Sequence, residues 1–87
     1  LPGDAVAPVA DFSRVAGFVL GVVPAGPNLL VVRTTIGTAQ SVALEIDHSR
    51  WPEVVGTISG DDTIFVATDT ARRQRAVADR LRAIFDV

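Results

Sequence analysis

Cysteine, methionine and lysine are all missing from this 87-residue chain, and histidine occurs once. The absence of cysteine excludes a disulfide, and with one histidine there is no Cys/His cluster for a structural metal, so the usual staples of small folds are lacking. Without methionine the row does not open at a natural start codon, and a segment ahead of Leu1 is expected. Long apolar runs are lacking too. The longest, Val15 to Val23, is far below the roughly 20 residues of a membrane span, and no signal-peptide pattern is present. The expected setting is soluble and cytoplasmic.

Enzyme signatures are equally scarce. There is no G-x-S-x-G elbow, no P-loop and no G-x-G-x-x-G. In Gly56-Thr57-Ile58-Ser59-Gly60 the serine stands fourth, with no base placed to activate it. His48, read as lying just past a helix end, has no catalytic companion. The chain is therefore read as a non-enzyme.

What is present fits one domain. A chain of this size buries only about 60% of its unfolded surface, so association with further copies is the expected extra source of burial. All eight basic residues are arginine and eight of the ten acids are aspartate, a usage typical of a GC-rich genome. The net charge of −2 argues against a nucleic-acid surface in these residues, because phosphate neutralisation needs clustered positive charge. Arginines do gather between Arg72 and Arg82, but Asp79 and Asp86 alternate with them at helical spacing, which reads as a solvated helix face.

Leu1 to Ala10 mix Pro2, Gly3, Asp4 and Pro8 with small apolar residues without a period; residues 1–12 are read as a linker and 13–87 as the folded domain. Asp11 to Ala16 form either one helical turn capped by Asp11 or the start of a strand. Phe18 to Val23 and Leu29 to Arg33 are aliphatic runs around the turn residues Pro24 to Asn28, which predicts two strands. Ala39, Val42, Ala43 and Ile46 then fall at i, i+3, i+4 and i+7, the stripe of an amphipathic helix, with Thr34 or Thr35 as cap and Pro52 beyond its end. Val54 to Ser59 and Thr63 to Thr68 predict a hairpin whose Gly60-Asp61 tolerates positive φ. Ala71 to Phe85 read as a second helix with Val77, Leu81 and Ile84 in a stripe widened by Ala78 and Phe85, capped by Asp69 or Thr70. The fold class is α+β: a two-layer sandwich in the order ββαββα, with a four-stranded, mostly antiparallel sheet and two helices on one face.

Two polar constellations stand out against this frame. Asp61 and Asp62 are adjacent like charges at the hairpin, flanked by Thr57, Ser59 and Thr63 where an apolar pattern has no need of them. Gln40 and Asp47 share a helix face about 10.5 Å apart along the axis, with Leu44 between them. Acids from turn and helix suit a cationic ligand, above all a guanidinium, which forks onto a carboxylate. A divalent-cation site at Asp61-Asp62 in a purely structural oligomerisation module is the alternative.

The run from Gly56 to Phe65, Gly-Thr-Ile-Ser-Gly-Asp-Asp-Thr-Ile-Phe, is preceded by Val32-Arg33-Thr34 and by Gly37-Thr38-Ala39-Gln40 with Asp47 seven residues on. Together they closely resemble the C-terminal domain of bacterial arginine repressors, from about Val15 to Val87. Family members carry an N-terminal winged helix-turn-helix that binds operator DNA, while the C-terminal domain forms trimers that pair into hexamers and binds L-arginine, the co-repressor, between the trimers. The resemblance therefore implies an arginine-sensing, hexamerising domain of a repressor of arginine biosynthesis genes, with DNA contacted through an N-terminal domain outside this chain and not through these residues. It implies an arginine-binding set of Gln40, Asp47, Thr57, Ser59, Asp61 and Asp62. Asp61 would reach a ligand held by the opposing trimer, and Thr57 and Ser59 would offer mainly backbone groups. Ile36 stands where the family often has proline, and Ser59 where alanine is usual.

Overall fold

A computed structural model describes residues 8–87, so residues 1–7 of the expected linker lie outside the described residues. The aliphatic runs form strands β1 (Val19–Ala25) and β2 (Leu29–Thr34), and the amphipathic stretch forms helix α1 (Ala39–Ser49). The hairpin gives β3 (Val54–Ser59) and β4 (Thr63–Thr68), and α2 (Ala71–Phe85) follows. One sheet results, in the order β1-β2-β4-β3, with every neighbouring pair antiparallel and both helices on one face. The α+β class and the order ββαββα are those the sequence implies.

Strand alternation sorts the two faces. Leu30 and Val32 of β2 and Ile64 and Val66 of β4 are fully buried beneath the helices. They meet Val42 and Ile46 of α1 and Val77 and Leu81 of α2 in one core. The other face carries a row across all four strands, Val23, Val31, Phe65 and Ile58, cross-paired in register. Neither helix covers that row, and Ile58 is 77% exposed.

Some local alternatives are decided and other expectations are corrected. Pro24 and Ala25 belong to β1, so the turn is only Gly26-Pro27-Asn28; β1 is an edge strand, where a missing N–H is tolerated. The stretch after Asp11 is a short 3-10 helix, Phe12–Val15, with the Asp11 carboxylate accepting from the Ser13 amide. Helix α1 starts after Thr38, not Thr34 or Thr35. His48 lies inside its last turn, because the helix runs to Ser49 and stops at Arg50 in the left-handed region (φ 54°). Thr70 caps α2 by accepting from the Arg73 amide. Ile84, expected in the buried stripe of α2, is exposed, whereas its neighbour Phe85 packs against the core edge-on to Phe12, which stacks on Trp51.

The arginine-rich face of α2 is more than a solvated surface. Arg73 donates to the Pro52 carbonyl (3.0 Å) and Arg82 to the Val22 carbonyl (2.8 Å). Arg80 lies over the Trp51 ring and forks onto both carboxylate oxygens of Glu53 (3.2 Å each). That fork holds the Glu53 carboxyl below its usual 4.5. A depressed folded-state value means stabilisation that is present above the unfolded value and lost as pH falls through the folded one. Glu53→Gln is therefore expected to lower the thermal midpoint modestly near neutrality and to converge on wild type at low pH, which flattens part of the acid-side fall. Melting curves at stepwise lower pH check this; parallel profiles for variant and wild type would refute it.

Candidate functional site

The polar groove arises where β3 breaks the usual rule of apolar inside, polar outside. A bulge between Val54 and Gly56 sets the phase of the strand, so that Thr57 pairs with buried Val66, Ser59 with buried Ile64, and Ile58 with exposed Phe65. Thr57 and Ser59 thus sit on the helix side of an edge strand. Helix α1 lies alongside, and between them opens a groove of about 510 Å³ lined by Gly37, Gln40, Ser41, Ala43, Leu44, Asp47, Thr57 and Ser59. Four of the six expected site residues are brought together here: Gln40, Asp47, Thr57 and Ser59.

Within the groove the Thr57 hydroxyl donates to Asp47 Oδ1 at 2.7 Å. This bond orients the carboxylate within the groove. Leu44, 49% exposed, forms an apolar middle between Gln40 and Asp47. A groove with polar ends and an apolar centre suits an extended molecule with charged ends and a hydrocarbon stem.

Asp61 and Asp62 do not line the groove; they stand at its end, in the three-residue loop Gly60–Asp62. None of the three has positive φ, contrary to the expected turn chemistry. The loop is held from outside instead. The Asp61 carbonyl accepts from the amides of Gly37 (3.1 Å) and Ala39 (3.3 Å), and the Asp62 carbonyl accepts from Thr34 (2.8 Å). Ala39 N–H is among the otherwise unpaired donors at the start of α1, so the hairpin loop serves as that helix's cap where Thr38 supplies no side-chain bond. Gly37 is the hinge of the arrangement, its φ of 81° open to glycine without strain. Two carboxylates beside the N-terminal end of a helix also sit in a favourable field.

Among the described residues, no group of three or more His, Cys, Asp or Glu side chains is placed to hold a metal ion. No helix of the described residues is long and apolar enough to cross a membrane. Sequence reading places Ala43 in the apolar stripe of α1 and Gly37 in the motif ahead of it, and leaves Ser41 unmentioned; only the packing of α1 against β3 makes all three part of the groove.

Comparison with known proteins adds the following. The family described as "Arginine repressor, C-terminal domain" matches residues 17–83. An arginine repressor of Acidobacterium capsulatum is 53% identical over 57 residues, covering 66% of this chain and 38% of the relative. One of Desulforudis audaxviator is 44% identical over 64 residues, 74% of this chain and 43% of the relative. One of Solibacter usitatus is 44% identical over 76 residues, 87% of this chain and 52% of the relative. The chain thus spans about half or less of the curated relatives it matches, and those relatives are named as repressors, not enzymes.

Proposed function

Because this chain belongs to the family of arginine repressor C-terminal domains, we propose that it is the L-arginine-sensing and hexamerising domain of a cytoplasmic repressor of arginine biosynthesis genes. The residues ahead of Asp11 serve as the linker to an N-terminal domain that binds operator DNA, and the sensing unit begins at Asp11 and Phe12, two residues earlier than the expected boundary, because both are packed into the fold. L-Arginine acts as co-repressor at the interface between two trimers, contacted by Gln40, Asp47, Thr57, Ser59, Asp61 and Asp62.

The observation that carries this reading is the polar groove between α1 and β3, with the loop that carries Asp61 and Asp62 bonded through its main chain to the start of α1 at one end. Its charged lining is acidic, and its apolar middle matches a three-carbon stem. The uncovered apolar row on the opposite sheet face supports self-association, since large side chains such as Phe65 and Ile58 stand exposed in the single chain. The physical logic is neutralisation. Carboxylates from several copies repel when trimers meet, and a bound arginine supplies counter-charge and bridging hydrogen bonds. A ligand that binds the hexamer better than separate trimers drives assembly by mass action, and linked DNA-binding domains are then presented together.

Sedimentation velocity of the 87-residue chain with and without millimolar L-arginine tests the proposal. A shift to larger, more persistent assemblies and a raised thermal midpoint are expected. Unchanged mass, dissociation and midpoint would overturn it.

A further inference from the structure

Asp61 and Asp62 are chemically identical neighbours, yet the fold treats their side chains differently. Both have pinned backbones, but only Asp62 also has its carboxylate held: Thr63 Oγ1 lies 3.0 Å from Asp62 Oδ1, and Arg33 Nη1 lies 3.1 Å from the same Thr63 oxygen. We propose that Arg33 is a positioning residue for ligand binding, acting through the Thr63 hydroxyl to fix the direction of the Asp62 carboxylate. The proposal rests on the reading of Asp62 as a ligand-contacting group.

The chemistry of the chain of bonds sets its direction. A guanidinium only donates and does not lose its charge in proteins, so its contact with Thr63 must use a lone pair of the hydroxyl. The hydroxyl has one proton, and with Arg33 behind it that proton is committed to Asp62 Oδ1. A threonine hydroxyl without that neighbour rotates to suit whatever acceptor is near; this one is given a single polarity. Register puts the three groups together, because Arg33 and Thr63 are cross-strand partners of β2 and β4. The next residue of β2, Thr34, donates its amide to the Asp62 carbonyl. Two consecutive residues of β2 therefore hold Asp62 twice, once by the backbone and once by the side chain.

The consequence is a division of labour between the carboxylates. Asp62 is ordered before the ligand arrives, so less side-chain freedom is lost on binding. The Asp61 side chain has no hydrogen-bond partner among the described residues and keeps the freedom to reach toward a ligand on a facing copy.

Calorimetric titration of the 87-residue chain with L-arginine tests this, using Thr63→Val, Thr63→Ser, Arg33→Gln and the Arg33→Gln/Thr63→Val double variant. Thr63→Val and Arg33→Gln are each expected to weaken binding roughly fivefold to tenfold, the scale of one hydrogen bond to a charged group at a wet site. The double variant is expected to bind no more weakly than either single one, because both break the same chain of bonds. Thr63→Ser, which keeps the hydroxyl, is expected to bind as wild type, and ligand-free melting and sedimentation are expected to be unchanged throughout. Wild-type affinity in Thr63→Val, additive losses in the double variant, or a ligand-free midpoint that falls in step with affinity would each overturn the proposal. A wild-type chain that binds no L-arginine removes the parent reading and the relay together, whereas a binding wild type with an unaffected Thr63→Val removes the relay alone.

Discussion

Asp61→Asn combined with Asp62→Asn is expected to weaken L-arginine binding about 100-fold, the loss of two charge-assisted contacts. Asparagine keeps the size of the side chain and its carbonyl oxygen, so the loop that caps α1 through the Asp61 main-chain carbonyl is left in place. What goes is the negative charge that a guanidinium or ammonium group would meet. The ligand-free chain is expected to assemble at least as readily as wild type, since the repulsion between adjacent carboxylates has been removed. Calorimetry reads the affinity, and sedimentation reads the assembly. A variant that is blind to arginine yet assembles without it is the expected pair of results; wild-type affinity would take the two aspartates out of the binding set.

Ile64→Ala and Ile58→Ala make the second contrast, with the same chemical change on opposite faces of one hairpin. Ile64 is fully buried on central strand β4, while Ile58 on edge strand β3 is 77% exposed. Removing Ile64 leaves a cavity beneath both helices, with an expected cost of about 2–5 kcal/mol. Typical stability for a chain of this length is about 4–13 kcal/mol, so the loss is a large share of the total. The thermal midpoint is expected to fall by tens of degrees, or the chain not to fold at all. Ile58→Ala is expected to change the stability of the dilute chain by no more than about 0.5 kcal/mol. Its effect is expected in self-association instead, since Ile58 belongs to the uncovered row with Phe65, Val31 and Val23. Melting at low concentration and sedimentation at high concentration separate the two. An Ile58→Ala chain that assembles like wild type would remove that row from the association surface.

Much of the site was legible because its residues interrupt local patterns. Thr57 and Ser59 are polar where a hairpin of Val, Ile and Phe invites apolar residues, and Gln40 and Asp47 recur on one helix face two turns apart. The paired aspartates needed no structure to be noticed. Other features rest on partners distant in the chain. Glu45 looks like one more polar helix residue, yet it is buried and accepts from the Asp11 amide at 2.8 Å, 34 positions away. Gln74 interrupts the pattern of α2, yet its amide closes the β1–β2 turn by donating to the carbonyls of Gly26 and Leu29, the former 48 positions away. The arginines of α2 read as a solvated face for the same reason: Pro52, Glu53 and Val22, which three of them clamp, are near them only in the fold.

By itself the sequence determined the element order, the apolar stripe of α1 and the residue types of the site, because each rests on periodicity or chemistry carried by neighbours along the chain. Tertiary structure alone decided which of those residues meet. A bulge in β3 turned Thr57 and Ser59 inward to form a groove with α1, and left Ile58 outward beside Phe65 of β4, without cover. It also set the hairpin loop on the start of α1 and Arg33 behind Thr63. Strand register is a property of two segments at once: a shift of one residue exchanges the faces of a strand, and no single segment contains the information that chooses between them.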